Sequence, residues 1–425
     1  MKFLVKQKQT DYFPDLGDVE QAAQVLKGVS QETPLMHNFF LSEKFDANIL
    51  LKREDLQVVR SYKIRGAYNK ICSLNKEEQS RGVVCASAGN HAQGVAYSCY
   101  KLGIQGHIYM PATTPKQKIQ QVKMFGKDAV KIVLEGDTYD DASKLAHHFC
   151  EVENKVYVHP FDDEKIIEGQ ATVGLEIINQ ATVPIDYLIL PIGGGGLAAG
   201  VSEVFRQKSP NTTIIGVEPE GAPSMKTSLD KGKNTTLAQI DKFVDGASVK
   251  RVGDRNFAIC KQNLHKMIVL PEGKICQTIL SLYNKSAMVV EPAGAMSIAA
   301  MSFLKEEIKG KNVVCVVSGG NSDITRTEEI RERALLYAGL KHYFIIRFPQ
   351  RAGALREFVD EVLGPNDDIT HFEYTKKHNR EIGPALVGVE IKHKADFEPL
   401  VSRMKALNFF GEYLNEKPDL FQLLI

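Results

Sequence analysis

The chain carries almost no net charge. Its 425 residues include 53 Lys and Arg against 52 Asp and Glu, a formal +1. Neither half forms a basic or acidic tail, which argues against non-specific binding to nucleic acid or a membrane surface. No apolar run approaches the ~20 residues of a membrane-spanning helix. The stretch MKFLVKQKQTDYFP lacks the apolar core of a secretory leader. The seven cysteines, at 72, 85, 99, 150, 260, 276 and 315, are odd in number and include no C-x-x-C pair. That argues against a disulfide framework or a zinc site. The expectation is a reduced, cytoplasmic, globular protein of two or three domains.

What is present is a persistent alternation. Apolar, β-branched runs (ANILLKRE, GVVCAS, GHIYMP, AVKIVL, YLILPIG, TTIIGVEP, NVVCVVSGGN) are interleaved with segments of helical spacing such as HAQGVAYSCYKLG and GLAAGVSEVFRQ. Buried strands alternating with helices imply parallel sheets covered on both faces. Residues 1–325 therefore read as α/β. A charged helical stretch, TRTEEIRERALLYAGL, follows as a linker over about 326–340. Residues 341–425 then run strand, helix, strand, strand, helix, strand, the βαββαβ order of ferredoxin-like domains.

Ligands gather where strands of open parallel sheets run into helices, and three such turns stand out. In PIGGGGLAAG, four consecutive glycines, Gly193 to Gly196, strip side chains from a strand-to-helix turn. Its N–H groups can then hold a phosphate. The same stretch fits G-x-G-x-x-A with Glu218 ending the next strand, so a dinucleotide site is a rival reading. In ASAGNHAQG, Ser87, Gly89 and Asn90 precede a helix whose N–H groups can receive a carboxylate; on the residues alone a capped turn is the better explanation. His91 has no partner ligands at metal-binding spacing. In VVSGGNSD, Ser318 ends a strand with one hydroxyl directed to the crevice, and a plain turn is an even alternative. Lys63, in VVRSYKIRGAYNK, is by composition an ordinary loop lysine.

Together, SYKIRGAYNK, SAGNHAQG, GGGGL, EPAGA and VVSGGN occur in the order found in threonine dehydratases. The chain resembles that family over nearly its whole length. The resemblance implies a catalytic domain of the second fold type of pyridoxal-phosphate enzymes, like the β subunit of tryptophan synthase. It would have two parallel-sheet subdomains, the smaller at about 56–160. The C-terminal part resembles the short biosynthetic form, with one ACT-like regulatory unit.

Carried over by position, Lys63 would bear pyridoxal phosphate and Asn90 would contact the ring's 3-oxygen. Gly193, Gly194, Gly195, Gly196 and Leu197 would cradle the phosphate, and Ser318 would face the pyridine nitrogen. Ser87, Gly89 and His91 would belong to the loop that receives the substrate carboxylate. A serine at the ring nitrogen supports a neutral ring and prompt β-elimination. The related serine racemases have a second serine where this chain has Ala88, and alanine transfers no proton. Their metal site is expected to be lost too, because Ser224 replaces an aspartate beside Glu218 and the Ala222 carbonyl.

The implied activity is deamination of L-threonine, with L-serine as a second substrate, to 2-oxobutanoate and ammonia. Isoleucine is the expected inhibitor, valine a possible activator, and a homo-oligomer (tetramer or dimer) the expected assembly. Gly353, in the turn FPQRAGALREF, marks the expected effector site. A degradative serine/threonine dehydratase, an NAD-dependent oxidoreductase and a non-catalytic amino-acid sensor are the competing readings.

Overall fold

Runs of valine, isoleucine and leucine form strands here because helices seal both faces of the sheets they build. The structure, a computed structural model, describes residues 12–376 and 381–424. The leader reading therefore concerns residues that, up to Asp11, lie outside the described part, as does Lys377 at the end of one expected strand. The chain divides into two units, residues 1–324 and 325–425.

Among its described residues the first unit contains ten strands: β1 (Leu35–His37), β2 (Asn48–Arg53), β3 (Val83–Ala86), β4 (Gly106–Met110), β5 (Val130–Leu134), β6 (Val156–Tyr157), β7 (Tyr187–Pro191), β8 (Thr213–Pro219), β9 (Lys266–Leu270) and β10 (Asn312–Val317). The larger sheet has the order β1-β2-β10-β7-β8-β9 and the smaller β5-β4-β3-β6. All pairings in the smaller sheet are parallel. In the larger sheet β1 is the exception: it runs antiparallel to β2, Leu35 opposite Lys52. The short helix Phe39–Phe45 between them reverses the chain rather than crossing over.

Central strands are buried end to end. Val313, Val314, Val316 and Val317 of β10 are fully inaccessible, each side chain contributing roughly 1.5–3 kcal/mol. The sequence-anticipated strands all form. The helix Glu164–Gln180, not singled out by its pattern, is the scaffold on which the helix Lys63–Cys72 docks. Docking is close because a Cβ on Gly66 would fall 2.8 Å from the Ile166 carbonyl oxygen, and one on Gly169 2.6 Å from the Gly66 Cα.

The second unit pairs β11 (Lys341–Pro349), β12 (Asp368–Tyr374), β13 (Ile382–Glu390) and β14 (Phe410–Tyr413) in the order β12-β13-β11-β14, all antiparallel. The anticipated helix over 353–364 differs in detail: Ala354–Glu357 is α-helical and Phe358–Val362 widens into a π turn. Phe344, Phe358, Val387, Leu400 and Phe409 form its core. The helix Thr327–Ala338 packs on this unit, with Arg331 bridging to Glu390 at 2.7 Å and the Tyr343 hydroxyl bonded to Glu332.

Candidate active site

Lys63 opens its helix without a side-chain cap. Two long-range contacts fix the loop before it. Ser61 forms an antiparallel bridge with Gly319, and the Tyr62 N–H donates to the Ser318 carbonyl at 3.2 Å. Arg60 adopts φ 56°, and its carbonyl accepts the Gly320 N–H at 2.9 Å. The lysine loop is thereby stitched to the turn that follows β10. Behind it, Arg65 is buried and forks onto Glu54 at 2.8 Å and Glu176 at 2.6 Å, while Lys52 reaches Glu176 at 2.5 Å. An ionic cluster of this kind orients more than it stabilises.

The second turn approaches from the other side. The helix Asn90–Leu102 packs against Lys63 at Gly94, where a Cβ would lie 3.1 Å from the Lys63 carbonyl carbon and oxygen. Asn90 therefore sits next to the lysine loop. Its Nδ2 donates to Glu291 at 2.7 Å, and its Oδ1 accepts from Asn321 at 2.6 Å. Ser87 accepts the Gly89 N–H at 3.2 Å, and the space beside Gly89 is open. His91 follows Asn90 at the start of this helix. Its ring is buried, with Nε2 2.9 Å from the Val158 carbonyl oxygen. Burial and nearby Lys63 push it down to about 3, so it stays neutral. Only its backbone is left for a carboxylate.

The glycine turn is the third wall. Gly195 adopts φ 92°, the left-handed region that glycine enters freely. A Cβ on Gly194 would fall 2.1 Å from the Phe161 ring, and one on Gly193 2.8 Å from the Ala247 Cα. Asn256 clasps the turn, donating to the Gly194 and Phe161 carbonyls at 2.8 and 3.0 Å. The N–H groups of Gly193 to Leu197 find no backbone acceptor among the described residues, and they stand at the start of the helix Gly196–Lys208. Unused donors in a side-chain-free turn at a helix start fit a phosphate.

The Lys63 amine donates to the Pro160 carbonyl at 2.7 Å, and burial lowers it to about 8, partly opposed by the Glu291 charge. Ser318 is buried directly after the end of β10. The Ser61 hydroxyl is buried without a partner among the described residues. A reactive amine, a buried hydroxyl and an anion cradle thus converge in the first unit, as pyridoxal phosphate requires. Glu218, the rival ribose ligand, is turned inward. It accepts the Met225 and Lys226 N–H groups at 2.7 and 2.8 Å, and burial pushes it up to about 8.

Pro160, Phe161 and Asn256 carried no sequence signal. Glu291 and Asn321 lie inside EPAGA and VVSGGN, yet nothing in those motifs distinguished them from turn residues. In the second unit, Gly353 has φ 84° at the start of Ala354–Glu357, with open space around it.

Residues 27–319 match the family described as pyridoxal-phosphate dependent enzyme, and residues 332–424 the C-terminal regulatory domain of threonine dehydratase. The chain is 57% identical to the L-threonine dehydratase biosynthetic IlvA of Halalkalibacterium halodurans, over 96% of this chain and 98% of that one. It is 55% identical to the protein of the same name from Bacillus subtilis, over 95% and 96%. Among solved structures, the processed form of threonine deaminase isoform 2 from Solanum lycopersicum is 40% identical, with a TM-score of 0.71 over 76% of this chain and 95% of that one.

Proposed function

Because this chain belongs to the threonine dehydratase family of pyridoxal-phosphate-dependent enzymes, we propose that it converts L-threonine to 2-oxobutanoate and ammonia at the Lys63 site, and that isoleucine inhibits it through the second unit. The observation that carries the reading is the Lys63 amine, lowered to about 8 in a loop bridged to the Ser318 turn.

Bound here, pyridoxal phosphate supplies the electron sink that makes the α-proton of threonine removable. The N–H groups of Gly193, Gly194, Gly195, Gly196 and Leu197 hold the phosphate. Lys63 would carry the cofactor, and its amine, neutral when free, would take the α-proton. Ser318 would offer the ring nitrogen a hydroxyl rather than a carboxylate, which would leave the nitrogen neutral and favour loss of the β-hydroxyl over side reactions. The backbone at Ser87, Gly89 and His91 receives the substrate carboxylate at the start of the helix Asn90–Leu102. Residues 1–325 carry this chemistry, and residues 341–425 carry the regulation, with Gly353 at the effector turn. L-serine reacts as a second substrate, valine opposes isoleucine, and the enzyme works as a homo-oligomer in the cytoplasm.

The purified enzyme is expected to form 2-oxobutanoate from threonine, and less of it with isoleucine present. Failure to form 2-oxobutanoate sinks the assignment, and insensitivity to isoleucine sinks the regulatory half alone.

A further inference from the structure

We propose that Asn321 and Glu291 are positioning residues: they hold the Asn90 amide with its NH2 group toward the cofactor, so that Asn90 meets the ring oxygen only as a donor. The inference rests on the reading of Asn90 as a cofactor contact and adds the polarity of that contact.

The chain of bonds begins at a group with one possible role. The Val59 carbonyl only accepts, and it takes a hydrogen from Asn321 Nδ2 at 2.9 Å. That fixes which end of the Asn321 amide carries nitrogen. The second Nδ2 hydrogen goes to Asn90 Oδ1 at 2.6 Å, so Asn90 presents oxygen to Asn321 and nitrogen elsewhere. One hydrogen of Asn90 Nδ2 is taken by Glu291 at 2.7 Å. The other is the only one left for a ligand.

Two features show that this orientation is imposed. The Asn321 Oδ1 is buried and has no partner among the described residues. An unsatisfied buried oxygen is costly, and turning the amide over would trade that for two facing acceptors. Glu291, for its part, is the N-cap residue of the helix Pro292–Ala300, yet its side chain does not cap it. The carboxyl turns inward instead, into room left by two glycines: a Cβ on Gly319 would fall 2.5 Å from Oε1 and one on Gly246 3.4 Å. Burial pushes this carboxyl up to about 7; in either protonation state Oε1 can accept from Asn90. A donor facing the ring oxygen stabilises its anionic form.

The test is a pH titration of the visible absorbance of the holoenzyme and its variants. Asn321→Asp sets an acceptor against both the Val59 carbonyl and Asn90 Oδ1, forcing the Asn90 amide over. The midpoint for ring-oxygen ionisation should rise by about one pH unit, a tenfold gain in proton affinity. Asn321→Ala adds no charge and should move it in the same direction by less, and it carries the test if the aspartate variant fails to retain cofactor. Glu291→Gln keeps an acceptor at Oε1 and should not raise the midpoint. An unshifted midpoint in Asn321→Ala, or a rise in Glu291→Gln equal to that of the Asn321 variants, overturns the proposal. A wild-type protein with no visible band at all overturns the cofactor reading itself, a different result.

Discussion

A lysine amine half-neutral near pH 8 is a better nucleophile and base at cellular pH than one at the usual 10.5. The cause is burial, so the effect should survive high salt, which screens exposed charges. In protein stripped of cofactor, modification of Lys63 by an amine-directed reagent should rise with pH to half-maximum near 8. A half-maximum near the ordinary lysine value would show that the amine is solvated. Lys63→Ala should abolish turnover and the visible band, while circular dichroism stays as in the wild type; reduction with borohydride should label a peptide containing Lys63 and no other lysine. Ser318 is the second residue with a separable role. Ser318→Asp should protonate the ring nitrogen, slow elimination and increase transamination, read as the ratio of amine-form cofactor to 2-oxobutanoate.

At the scale of elements, the site depends on glycines that let backbones approach. Gly194→Ala drives a methyl into the Phe161 ring. Overpacking of this kind costs about 1–3 kcal/mol. Cofactor affinity should fall roughly tenfold or more, since 1.4 kcal/mol is a factor of ten. Adding Phe161→Ala should recover part of it, and equilibrium dialysis of the two variants against wild type reads the coupling. How much of this was legible in sequence follows from range. Most strands and many of their helices announced themselves through local periodicity, and the Gly193–Gly196 turn through composition; β1, β6, β9 and the helix Glu164–Gln180 gave no such signal. The Asn256 clasp, the Pro160 carbonyl and the ionic fork of Arg65 did not. Each includes a pairing of residues about a hundred positions apart or nearly so, and no local pattern records such a partner. The π turn at Phe358–Val362 was equally hidden, because its apolar spacing matches that of an α-helix.

For the whole molecule, the chain divides into two units, so the proposed regulation should be separable from the proposed catalysis. A chain ending at Ile324 should retain threonine deamination and ignore isoleucine. Gly353→Asp in the full chain should do likewise, because a carboxylate at the open turn crowds and repels an amino-acid carboxylate. Inhibition by isoleucine requires different affinities for two states, typically ~1–3 kcal/mol of coupling, so both variants should raise the half-inhibitory concentration severalfold to beyond measurement. Unchanged inhibition of the shortened chain would place the effector site in the first unit. The strand order has a further consequence, for synthesis. β2 lies between β1 and β10, with Asn48 paired to Asn312 across 264 residues. At ~5–20 residues per second a ribosome takes on the order of ten seconds or more to make that interval. Until β10 emerges, β2 lacks its inner neighbour and Ser318 does not yet exist. A nascent chain that has not yet reached residue 318 should therefore be unable to capture the cofactor, and cofactor uptake on the ribosome should begin only once the first unit is nearly complete.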